Sequence, residues 1–144
     1  MDRAAAWIAA AGPSLEDRLR AIRGFYGQDR TFAVPILVNC ALAGTVPWDR
    51  IPHLPFELAR LSHRWLRRLR IHVVSYALPA LIAIGQLLHL KRPTRNPLLG
   101  VIRRRSIGPT LERLEAIQPA SGGFIEAVPL TSFVVMSLAA ADGH

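Results

Sequence analysis

A chain of 144 residues is long enough for one domain, and a compact domain of that size buries roughly 70% of the surface its unfolded chain exposes. Hydrophobic residues make up 51% and charged residues 19%, richer in apolar and poorer in charged groups than an ordinary globular domain, so a large partner surface of protein or lipid is expected. The formal charge of +8 comes with no finger or RNP-type motif and few aromatics among the arginines, which excludes a nucleic-acid partner, and the lone Cys40 excludes an intrachain disulfide.

Apolar residues recur at threes and fours between Pro and Gly, so helix is expected throughout. A first helix over about 3–11 ends at Gly12-Pro13, and the run of apolar residues at both chain ends reads as a piece of something longer. There is no charged-then-apolar signal peptide at the start. Ser14 with Asp17 three residues on is an N-cap with a capping-box-like acid, opening a helix whose Leu15, Leu19, Ile22 and Phe25 share a face. From Thr31 to Ala43 the apolar density suits a helix buried on most sides, with Pro35 tolerable only near its start and Gly44 as its C-terminal cap.

Val46 to Pro55 holds three prolines in nine residues and is a loop, after which Pro55 starts a basic amphipathic helix. Leu58, Leu61, Trp65 and Leu69 lie on one side of it, and Arg60, Arg64, Arg67 and Arg68 on the other. The basic clusters Arg64 to Arg70, Lys91 to Arg95 and Arg103 to Arg105 are read as a solvated face or as a face for an anionic membrane. Ile71 to Leu90 is long enough to cross a bilayer, but His72, Ser75, Gln86 and His89 weaken it and Pro79 would kink it. A buried helix, or one dipping into a single leaflet, accounts for it better than a transmembrane span over 71–90. A polar connection follows, then a short helix through Val101, a second opened by Gly108-Pro109, a turn over Gln118 to Gly123, and a last helix begun by Pro129 or Thr131. Phe133, Val134, Val135, Met136 and Leu138 leave that last helix almost no polar face.

Candidate sites of several kinds are excluded by spacing. His53, His63, His72, His89 and His144 lie nine or more residues apart with no completing ligand, so no metal site is expected. Ser75 and Ser121 lack the surrounding elbow of an activated nucleophile, and Gly122-Gly123 is too short to cradle phosphate.

One turn carries a pattern. Gln118-Pro119-Ala120-Ser121-Gly122-Gly123-Phe124 places an amide and an aromatic ring six positions apart around glycines, suited to an amide that bonds free backbone at a helix terminus while the ring seals the turn. It resembles the QW repeat of squalene-hopene and oxidosqualene cyclases, with Gln118, Gly123 and Phe124 as the structural motif and Phe124 in the tryptophan's place. Val46-Pro47-Trp48, Ile51-Pro52, Pro55 and Glu57 are similar to a proline-rich segment of the bacterial enzymes. Ala5-Ala6-Trp7-Ile8, Asp29-Arg30-Thr31-Phe32 and Val74-Ser75-Tyr76-Ala77 follow the family in the same order.

The resemblance to this class II terpene cyclase family implies an all-α fold, a partial α/α barrel (toroid) of paired helices over residues 1–144, incomplete at its C-terminal side. It implies a cavity that folds a polyprenyl or triterpene substrate, no cofactor or metal, and peripheral (monotopic) attachment to the cytoplasmic face of a membrane. Tyr76 and Ala77 fall where the family has a cavity aromatic, and Ala127, Val128 and Pro129 where it has a cavity-facing Ile-Gln-Pro. The family's acid is an Asp-x-Asp-Asp motif that protonates the substrate. None of Asp2, Glu16, Asp17, Asp29, Asp49, Glu57, Glu112, Glu115, Glu126 and Asp142 forms it, so no catalytic residue is assigned and the acid is expected outside this chain. The rival expectation is a non-catalytic helical-repeat or membrane-associated remnant of the same fold. Protein prenyltransferase activity, which shares the barrel, would need zinc ligands that the sequence lacks.

Overall fold

The computed structural model describes residues 14–26, 30–61, 77–124 and 127–142, which are mostly helical and include no strand. Two compact units divide the chain, Met1–Pro47 and Trp48–His144.

In the first unit, α1 (Leu15–Tyr26) packs against α2 (Arg30–Leu42). The main-chain N–H of Asp17 donates to Ser14 Oγ at 3.2 Å and the Ser14 hydroxyl donates back to the Asp17 carboxylate at 2.6 Å, the expected start signal. That hydrogen bond holds the Asp17 carboxyl below its usual range, with Arg20 assisting. Leu19 is buried, but Phe25 is 83% exposed and stacks edge-on against Tyr26 at 5.0 Å. Phe25 thus shares the helical spacing of Leu19 without sharing its burial, one residue before α1 ends at Tyr26. Val34, Leu37, Val38 and Ala41 form the buried stripe of α2, and Pro35 lies in its second turn. Gly44 closes it at φ 71°, where its N–H donates to Ala41 and that of Thr45 to Cys40, at 3.0 and 2.9 Å.

The second unit is built around α3 (Leu78–Lys91), against which α4 (Pro97–Ala116), α5 (Val128–Asp142) and a 3₁₀ turn at Phe56–Arg60 all pack. Ala59, Leu78, Ile82, Ala83, Leu114, Phe124 and Val134 make its core, each large aliphatic side chain contributing about 2 kcal/mol by leaving water. A second 3₁₀ turn, Trp48–Arg50, lies in the proline-rich loop.

Three sequence expectations change here. Of the amphipathic helix expected from Pro55, the described part is a five-residue 3₁₀ turn, Phe56–Arg60, followed by Leu61 in extended conformation (φ −74°, ψ 139°); positions 62–76 lie outside the described residues. Pro79, expected as a kink, lies at the start of the described helix α3. It occupies the second position of α3, where a missing N–H costs nothing. The two short helices expected around Gly108-Pro109 are one helix of 20 residues. Gly108 and Pro109 are both exposed, so the carbonyl that loses its donor faces water, and Gly108 has no Cβ to clash with the proline ring. Side-chain hydroxyls bond the buried face instead: Ser106 Oγ donates to Ile102 O at 2.7 Å, and Thr110 Oγ1 to Ser106 O at 2.6 Å. Among the described residues no helix is long and apolar enough to cross a membrane.

Candidate functional site

The turn between α4 and α5 is the feature that the sequence singled out, and its parts meet. Main-chain N–H of Gly122 donates to Pro119 O at 2.9 Å and closes a tight reversal, with Gly122 at φ 79°. Gln118 Nε2 spans the turn and donates to Gly122 O at 2.9 Å. Phe124 is buried in the core cluster, and its N–H donates to Thr131 Oγ1, 2.9 Å away on the first turn of α5. The amide thus braces the turn while the ring anchors it to α3 and α5. Gln118 itself is exposed.

Beside this turn is an open depression of about 430 Å³ lined by Ser121, Gly123, Ala127, Val128, Thr131 and Ser132. Two of the predicted cavity residues, Ala127 and Val128, line it; Pro129 is exposed next to them. Val128 is 76% exposed, so the depression does not by itself exclude water. Ala77 caps α3, half-buried, beside Leu78, which shares the Phe124 cluster. Tyr76 lies outside the described residues. No group of three or more metal-ligating side chains occurs among the described residues.

α5 has an unusual surface for a helix with so little polarity. Val134 and Ser137 are buried, whereas Val128, Val135 and Met136 are exposed, at 76%, 58% and 40%. Between Val128 and Ala141 it carries no ionisable residue. Leu98 and Ile102 are also exposed on one side of α4.

No family model, no curated protein and no solved structure matches this chain.

Sequence reasoning missed a polar cluster on the other side of α3. Arg103, grouped by its neighbours into a solvated or membrane-facing run, is buried: Nε and Nη2 donate to the Glu57 carboxylate at 3.2 and 3.4 Å. Gln86, counted against an apolar helix, is buried with its amide donating to Thr110 Oγ1 at 2.8 Å and Ile107 O at 3.2 Å. His89 is buried on the last turn of α3, its ring centre 6.1 Å from that of Phe56. Burial, then the positive charge of Arg103 and Arg104, lowers its pKa; burial, then Arg92, does the same for His53. A period of three in α4 (Gly100, Arg103, Ser106) carries the only sequence signal that Arg103 faces inward.

Proposed function

We propose that this chain forms part of the cavity wall of a class II terpene-cyclase-like α/α barrel. The whole protein would cyclise a polyprenyl substrate by protonation and carbocation rearrangement, with the acid supplied by residues outside this chain. The observation that carries the reading is the turn from Gln118 to Phe124, where the amide braces a glycine turn and the ring is sunk in the core between successive helices. The order of Val46-Pro47-Trp48, Ser75-Tyr76 and this turn along the chain supports it.

In that role the apolar lining at Ala127 and Val128 would shape the folded substrate and keep water from the cation, and Tyr76 would offer a ring face to positive charge. The uncharged outer face of α5 would be covered by further barrel helices or by substrate, and peripheral membrane attachment would deliver a water-insoluble polyprene.

Expressed from its complete reading frame and incubated with detergent-dispersed squalene and shorter polyprenes, the protein is expected to give cyclic products separable by gas chromatography and mass spectrometry. Absence of cyclic product from every polyprene overturns the reading in favour of a non-catalytic helical scaffold. That rival needs no Asp-x-Asp-Asp motif, and both readings fit a stretch without one. In an active protein, Tyr76→Ala should change the product pattern; identical products and turnover would remove Tyr76 from the wall.

A further inference from the structure

Residues 48–61 lie as a strap along α3 and α4, held mainly by arginines. Arg92 Nη1 donates to the main-chain carbonyls of Asp49 and Ile51 at 2.6 and 3.2 Å. Arg103 holds Glu57, Arg60 reaches Ser106 Oγ at 3.5 Å, and Arg113 reaches Leu61 O at 3.4 Å. The strap is thus fixed at its start, middle and end by side chains carrying positive charge.

His53 is in the strap and His89 is beneath it on α3. His89 is 6% exposed, and its Nδ1 has no hydrogen-bond partner among the described residues. The charged groups that face it are Arg103 and Arg104 from α4 and Glu57 from the 3₁₀ turn. Arg92, Arg103, His89 and Glu57 lie near enough to His53 to act on its charge. α5, which also packs on α3, brings no ionisable group between Val128 and Ala141. Glu57 is the sole carboxylate in this set, and it is already bonded to Arg103. A proton on either imidazole would therefore enter surroundings that are positive on balance. On His89 it would also place a buried N–H at Nδ1, which no described residue hydrogen-bonds.

We propose that His53 and His89 form a pH-sensitive latch, holding the 48–61 strap on α3 and α4 while both imidazoles are neutral and releasing it when they are protonated. The sign follows from linkage. Each folded-state pKa lies below the ordinary 6.5, so the open state binds more protons in the window between that lowered value and 6.5. Closure is complete above the window and weakens as pH falls through it.

Amide hydrogen exchange of the full chain, read by mass spectrometry at about pH 7.5 and about pH 5.5 and corrected for intrinsic rates, tests this. Peptides covering 48–61 should exchange severalfold faster at the lower pH, while those of α5 change little. His53→Gln with His89→Gln should remove that difference. Equal protection of the strap at both pH values, or an undiminished difference in the double variant, overturns the latch. Imidazole titration by NMR provides a check that needs no variant: both midpoints should fall below 6.5, and a midpoint at or above it for His89 also overturns the proposal.

Discussion

Glu57 and Arg103 have side chains only 13% and 6% exposed, so the pair is a buried one and its halves are not equivalent to surface charges. Glu57→Gln leaves the guanidinium buried without its counter-charge and should cost about 3 kcal/mol. Urea denaturation would measure it, and a loss below about 1 kcal/mol would mean that the pair is solvated like an ordinary surface bridge. Gly85 poses a steric question instead. A Cβ there would come within 2.7 Å of Phe56 Cβ, and Phe56 is fully buried with no room to withdraw. Gly85→Ala should therefore destabilise by about 1–3 kcal/mol although alanine is the better helix former. A rise in melting temperature for that variant would show that the strap and α3 are less closely packed than their geometry states.

At the scale of elements, α4 shows how local rules are overridden. Its start is conventional: Asn96 Oδ1 accepts from the N–H groups of Leu98 and Leu99 at 3.0 and 3.3 Å, and Asn96→Ala should cost about 1 kcal/mol. Its middle is not, because Gly108-Pro109 reads as a boundary yet lies inside the helix. The two descriptions separate experimentally. In a continuous helix, Pro109→Ala restores a donor to the Arg105 carbonyl and should stabilise by about 1–3 kcal/mol in thermal unfolding. Were Pro109 the first residue of a separate helix, the same change would be neutral or slightly harmful. The continuous form is held by Arg103, Ser106, Thr110 and Leu114, all buried along one side, so tertiary packing outweighs the breaker.

For the second unit as a whole, the uncharged outer face of α5 matters most. Val135 and Met136 are exposed and apolar, so replacing both by Glu should lower binding of an apolar dye while leaving the melting temperature nearly unchanged. A large fall in melting temperature would mean that this face is already packed. The helical character, the N-cap at Ser14, the C-terminal cap at Gly44 and the turn at Gln118 were legible because each depends on residues within six positions of one another. Phe124 was legible as an anchor for the same reason. The cluster around Arg103 was not, because Glu57 and His53 come from the 48–61 strap and His89 from α3, both distant in sequence from Arg103.

Residue order by itself determined that this protein is helical, where several helices begin and end, and that an amide and a ring flank one glycine turn, since these follow from short-range hydrogen bonding and periodicity. Tertiary structure alone decided that Phe56–Arg60 stays a 3₁₀ turn, that Pro109 sits inside a helix, and that one arginine of a basic run is buried while its neighbours Arg104 and Arg105 face solvent. Burial and charge pairing depend on which distant segment arrives opposite a side chain, and no local pattern encodes that arrival.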